Sequence, residues 1–332
     1  MLAEWLDQAL EDRRPTRAEG PVTGGRWTLR GPGLLELIPD TPAATSCAGV
    51  LSVGIHGNET APIELMGDLL ARLEAGHLRL GAPLLVILGN PAAICAGTRF
   101  VSTNLNRLFR RDLAESGDEP DRARALMATV DAFYARHPDR ARLHYDLHTA
   151  IRDSRYPRFV VEPFTQTPTS PTQWAWLAGA GIQAVLHQHR HSWTFSHYSR
   201  HYHGAQAFTL ELGRARPFGE NDLAPLAPLG ALLAALLEGR EPASADPATM
   251  AFFRVKHELM RRSEAFRLCF PDNTPNFTEF APGTRLTRDA VGGDFIVGDI
   301  PLRVVFPNAD VELGARAALL VVPTPTPRAP PG

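Results

Sequence analysis

His56 and Glu59 lie three residues apart in Gly54-Ile55-His56-Gly57-Asn58-Glu59-Thr60, between an apolar run and a helix-like stretch. Across a strand-to-helix turn that spacing can aim an imidazole and a carboxylate at one point, which suits zinc. Gly54 and Gly57 would let the backbone bend there and leave room beside a metal. The competing reading is an exposed histidine and a helix N-terminal glutamate favoured by the dipole. The metal reading needs a third ligand and a base downstream.

His148, 148 − 59 = 89 residues after Glu59, offers the third ligand at the end of the run Leu143 to Leu147. A short-spaced pair plus a distant histidine leaves one zinc position open for chemistry. Asp146, two residues earlier, would point the same way in an extended strand and could hydrogen-bond a ligand imidazole. The alternative is a core or surface histidine, as most of the 12 must be. Arg99 could polarise a carbonyl and stabilise an oxyanion. Asn106 and Arg107 could grip a carboxylate, the arginine through two hydrogen bonds. In an arginine-rich chain a solvated side chain is the plain alternative. Glu211, inside the apolar run Phe208 to Leu212, is costly to bury without a purpose. A general base needs such a setting; a buried salt bridge would also explain it.

The elements that would position these residues alternate. Strands are predicted at Cys47 to Val53, Leu84 to Leu88, Leu143 to Leu147, Phe159 to Val161, Ala184 to Leu186 and Ala207 to Leu212. Helices are predicted at residues 3–12, Ala61 to Ala75, Asp118 to Ala135, Thr172 to Ala180 and Leu226 to Leu237. Two further strands flank Gly31-Pro32-Gly33, and residues 97–109 and 187–203 read as loops. This order argues for a three-layer α/β domain with a mainly parallel sheet. Such sheets bind ligands at the C-terminal ends of their strands. A linker at 239–244 leads to short β-like runs, a small β-rich barrel or sandwich. The division is a catalytic domain over 1–240, a β-rich domain over 245–325 and a Pro-rich tail over 326–332.

The 332 residues are 44% hydrophobic and 21% charged, with net charge −2 and no internal repeat. That balance argues against a nucleic-acid or acidic-membrane partner. Lys256 is the only lysine. The 3 cysteines form neither a disulfide framework nor a thiolate zinc site; Cys47 and Cys95 read as small core residues. No apolar stretch is long enough to span a membrane and the N-terminus lacks the pattern of a signal peptide. A reducing cytoplasm is the expected compartment.

Five stretches, in order, carry a resemblance. Residues 54–64 resemble the zinc-ligand signature of the succinylglutamate desuccinylase/aspartoacylase family, of zinc carboxypeptidase-like fold. Residues 89–109 resemble its substrate-binding segment and Asp146-Leu147-His148-Thr149-Ala150 its third-ligand strand. Residues 194–199 and 209–219 are similar to the branch acting on succinylglutamate. The resemblance implies that His56, Glu59 and His148 bind one zinc per chain, that Arg99 assists at the scissile carbonyl, that Asn106 and Arg107 hold a substrate carboxylate and that Glu211 is the base. It implies hydrolysis of N-succinyl-L-glutamate to succinate and L-glutamate, the last step of arginine catabolism through succinylated intermediates. A second carboxylate clamp is expected within 187–203, from Arg190, Ser192, Thr194, Ser196 or Arg200. Asn104 departs from the pattern, where an acidic residue is expected; the lost charge would alter how Arg99 or Arg107 is oriented. The nearest rival is deacylation of another N-acyl amino acid, such as N-acetylaspartate; a peptide-cleaving zinc carboxypeptidase and a metal-free binding protein on the same fold are the others. Association into a homo-oligomer is left open.

Overall fold

The computed structural model describes residues 17–327 together with Trp5 and Leu10. Trp5 and Leu10 are helical, and the rest of the helix predicted at 3–12 lies outside the described residues. So do residues 328–332 of the predicted tail.

The chain runs as β1 (Glu19–Val22), β2 (Gly25–Gly31), β3 (Leu34–Pro39), β4 (Ala48–Val53), α1 (Ala61–Glu74), β5 (Leu84–Leu88), α2 (Pro91–Ala96) and α3 (Asp118–Arg136). It continues through β6 (Arg142–Ala150), β7 (Arg158–Glu162), α4 (Pro171–Gly179), β8 (Ala184–His187), α5 (Phe195–His203), β9 (Gln206–Arg214) and α6 (Ala227–Leu237). Strands β5, β4, β6 and β9 lie side by side and parallel at the centre of a mixed sheet. Antiparallel pairs flank them, β3 against β5 on one side and β7 against β9 on the other.

Strand alternation explains the layers. Leu51 and Val53 of β4, with Tyr145 and Leu147 of β6 and Phe208 and Leu210 of β9, join one core with Met66, Leu70, Leu177 and Leu233 of α1, α4 and α6. Ala48 and Val50 on the opposite face pack with Phe133 of α3 and Phe195 and Tyr198 of α5. This is the three-layer α/β arrangement the resemblance implies. The residues left over on the α5 face are polar: Ser52, His144, Asp146, His148, Thr209 and Glu211. All six are buried.

Beyond residue 250, β10 (Ala251–Met260) pairs parallel with β8 at its start and antiparallel with β16 (Arg316–Pro323). Strands β15 (Leu302–Val305) and β12 (Thr278–Phe280) complete this edge. Strands β11 (Arg267–Leu268), β13 (Arg285–Arg288) and β14 (Phe295–Ile296) form a second, three-stranded sheet. The β-rich C-terminal part thus grows out of the main sheet through β10.

Three expectations change. The stretch 187–203 is not all loop: residues 195–203 form α5, whose first turn is capped by Thr194 accepting from the His197 amide and whose end is closed by Gly204 in the left-handed region. Its polar and aromatic residues bury both serines, His197 and Arg200, so no apolar periodicity announces the helix. The loop 97–109 contains a 3-10 turn over Leu105–Arg107. Cys95 is exposed rather than a core residue.

Candidate active site

His56 and Glu59 sit where β4 turns into α1. Gly54 takes φ 66°, and a side chain on Gly57 would strike the Ala93 backbone, whose carbonyl carbon lies 2.1 Å from its Cβ position. The turn folds tightly against α2 because neither position carries a Cβ. His148 lies inside β6, which runs on to Ala150, and stands opposite Glu211 of β9 in the parallel register.

The His56, Glu59 and His148 side chains converge. His56 Nδ1 is 2.8 Å from Glu59 Oε1, His148 Nδ1 is 2.9 Å from Glu59 Oε2, and the two Nδ1 atoms are 3.2 Å apart. Nitrogens held at about 2.0–2.1 Å from a tetrahedral zinc stand roughly 3.3 Å apart, so the donor set fits that ion. The outward nitrogens are held as a ligand pair requires. His148 Nε2 faces Asp146 Oδ2 at 2.9 Å, and His56 Nε2 faces Asn104 Oδ1 at 3.1 Å. Those acceptors place the proton on Nε2 and leave Nδ1 free to bind metal.

Asn104 therefore acts on His56, not on the arginines as expected. Its Oδ1 also accepts from the Asn106 amide. Behind Asp146 a buried chain continues: Ser52 donates to Asp146 Oδ1 at 2.6 Å and contacts His144 Nε2, whose Nδ1 reaches Ser199 of α5 at 2.7 Å. Nothing in the local sequence of Ser52, His144 or Ser199 marked them.

Two buried carboxylates in the site behave oppositely. Burial pushes against ionisation of Glu59, but His56 and His148 outweigh it and hold its pKa well below the usual range. Arg99 Nη1 at 2.7 Å and the Thr149 amide at 3.0 Å donate to it as well. His148 is buried, yet the carboxylates of Asp146 and Glu59 hold its pKa well above the ordinary value. A metal on Nδ1 would displace that proton. Burial lowers His56 to about 4. Glu211 is raised to about 7, first by burial and then by the Glu59 charge. Its Oε2 has no hydrogen-bond partner among the described residues.

A cavity of about 210 Å³ opens onto this group. Arg99, Asn106 and Arg107 line it, as do Ser192, Thr194 and Ser196. Asn106 Oδ1 accepts from the Phe195 amide, tying the 3-10 turn to α5. Burial, then Arg316 and Arg99, lower Arg107 to about 10. Two residues expected nearby are engaged elsewhere: Arg190 pairs with Glu258, and Arg200 donates to the carbonyls of Ala205 and Thr167. The far wall comes from residues that sequence reasoning did not single out, Asn276, Phe306, Asn308, Val311 and Arg316. Glu119, at the start of α3, was also missed. Its carboxylate accepts from the amides of Val101, Ser102 and Thr103 and orders the segment before Asn104.

Residues 48–237 match the succinylglutamate desuccinylase/aspartoacylase catalytic domain and residues 248–324 the AstE/AspA barrel-sandwich hybrid domain. A succinylglutamate desuccinylase of Pseudomonas paraeruginosa is 42% identical over 327 residues, 97% of this chain and 98% of the relative. One from Serratia proteamaculans is 43% identical over 323 residues, 96% and 97% of the two chains. The crystal structure of the Vibrio parahaemolyticus succinylglutamate desuccinylase superposes with a TM-score of 0.89 at 35% identity, covering 97% of this chain and 96% of that one.

Proposed function

The chain belongs to the succinylglutamate desuccinylase/aspartoacylase family, and we propose that it hydrolyses N-succinyl-L-glutamate to succinate and L-glutamate with one zinc held by His56, Glu59 and His148. The substrate reading is supported by identity of about 42% across nearly the whole chain to relatives bearing that name. The chemical reading is carried by one observation: Glu211, with its unpartnered Oε2, lines the pocket next to the three converging donors.

A zinc ion there supplies a Lewis acid for the scissile carbonyl and makes water a stronger acid. The protein does the rest. Glu211 takes a proton from the attacking water as the new C–O bond forms, and hands it to the amide nitrogen as the C–N bond breaks, so glutamate leaves as an amine. Its raised pKa of about 7 suits both taking and giving that proton. Arg99 donates to Glu59 at 2.7 Å and has further N–H groups for the developing oxyanion. Asp146 and Asn104 fix the two imidazoles. Asn106 and Arg107 hold one substrate carboxylate, and Ser192, Thr194, Ser196 and Arg316, whose guanidinium also pairs with Glu258 at 3.6 Å, line the pocket for the others. Residues 1–240 act as the catalytic domain and residues 245–325 as a β-rich domain contributing the far wall, with 326–332 a tail. The 3 free cysteines suit a reducing cytoplasm, and no helix among the described residues is long and apolar enough to cross a membrane.

The test is a hydrolysis panel of N-acyl amino acids with zinc-loaded and chelator-treated protein. N-succinylglutamate is expected to exceed N-acetylaspartate clearly in kcat/KM, with activity lost on chelation. A preference for N-acetylaspartate would move the chain to the other branch of the family.

A further inference from the structure

A second group of histidines lies between β8 and β9, outside the site just described. We propose that His191, His197 and His201 form a second transition-metal site, for a borderline divalent cation such as Zn2+, Ni2+ or Cu2+. One ring nitrogen from each lies within 4.8 Å of the other two.

The helix creates most of this site. His197 and His201 are four residues apart on α5, so they stack one turn above the other. Their rings are nearly parallel, at 13° and 5.4 Å between centroids. His191 arrives from the preceding loop, with its ring 4.9 Å from each of theirs and its Nδ1 2.8 Å from His197 Nε2. Two such nitrogens share one proton, and a cation can take the place of that proton. Opening the pair to the roughly 3.3 Å that two nitrogens on a tetrahedral zinc adopt needs only a small movement. His191 is exposed, with its ring against Phe164 and Trp193.

A second observation comes from His197 itself. It is fully buried, its Nε2 faces His191, and its Nδ1 has no hydrogen-bond partner among the described residues. Burial, followed by the neighbouring His191 and His201, lowers its pKa to about 3, so it stays neutral and keeps a lone pair. Trp193 stacks on His191 at 5.4 Å and meets His197 edge-on. It does so with φ 53°, a left-handed conformation that costs a bulky residue energy. The donors are all neutral, and Arg111 lies close enough to oppose positive charge on His201. Affinity is therefore below that of the carboxylate-containing first site. The segment also bears Ser192, Thr194 and Ser196 of the pocket wall, so a cation here fixes that wall.

The experiment counts metal. Chelator-stripped protein is titrated with Zn2+ and the bound ion is measured by calorimetry and, after desalting, by elemental analysis. The full chain is expected to take up about two zinc ions in two affinity classes, and His148→Ala and His201→Ala about one each, as three-ligand sites predict. Adding His201→Ala to His148→Ala is expected to leave none. His201 is exposed and outside the hydrolytic site, so His201→Ala keeps its hydrolysis rate at limiting zinc. In the His148→Ala background, bound Cu2+ is expected to show nitrogen hyperfine splitting that His191→Ala diminishes. Equal zinc uptake by wild type and His201→Ala overturns the proposal. So does a second zinc that persists when both His191 and His201 are alanine.

Discussion

The two walls of the pocket are built by different means. One is the polar face of the parallel strands β4, β6 and β9. Its residues stand at fixed register, His148 beside Glu211 and Ser52 beside Asp146. They are cross-braced through buried hydrogen bonds from Glu59 to Ser199. The other wall comes from connections between β-strands beyond residue 270 and from Arg316, the first residue of β16. There Phe306 takes φ 54° and Asn276 Oδ1 accepts the Phe306 amide. A hydrogen-bonded ladder holds side chains to the tolerance that bond-making chemistry needs. Loops set over it can vary the shape and charge that a substrate meets without disturbing that ladder. The first wall should therefore govern metal and rate, and the second affinity and selectivity.

Removing a ligand from the first wall is the harshest test. His148→Ala should lose one zinc equivalent and hydrolysis together while the chain stays folded, as seen by elemental analysis and circular dichroism. Zinc uptake equal to that of wild type in that variant would break the assignment. Next in size is Glu211→Gln, expected to keep zinc and substrate binding yet lose a factor of about 10² or more in kcat. Turnover within a few-fold of wild type would make Glu211 structural and send the search for a base elsewhere.

The second wall should respond differently. Arg316→Met keeps an unbranched stem without the charge. It is expected to raise KM for N-succinylglutamate roughly tenfold, the scale of one hydrogen bond to a charged group, with kcat within a few-fold. A loss in kcat alone would mean the two walls are not separable.

The smallest effect concerns stability. In metal-free protein Glu211 titrates at about 7 instead of 4.5, so the folded state binds its proton more tightly than the unfolded chain. That favours folding below pH 4.5, and the benefit is lost as pH rises through about 7. Relative to wild type, metal-free Glu211→Gln should gain on the order of 2 kcal/mol between pH 5 and pH 8. Denaturant titrations at the two pH values measure it. An equal difference at both would show that Glu211 is not held in its raised state.

Much of the first wall was legible in the chain. Apolar runs bounded by Gly, Pro and Asn marked β4, β5, β6 and β9, because strands buried on both faces exclude most other residues. The spacing of His56 and Glu59 and the alternation of Asp146 with His148 pointed to the converging His–Glu–His group, since strand and turn geometry are local. What required tertiary structure was everything that depends on which segments meet. Helix α5 has no simple apolar stripe, since beside Phe195 and Tyr198 it buries two serines, His197 and Arg200, with Ser199 and Ser196 bonded to His144 and Thr209 of other elements. Asn104 looked like a lost charge beside two arginines, and only folding brings it against His56. Arg316, 105 residues after Glu211 (316 − 211), shares its cavity because β10 pairs with β8 and carries the C-terminal strands back over the sheet. Local sequence sets the direction of each side chain along its own element; long-range pairing decides which of those side chains face the same space.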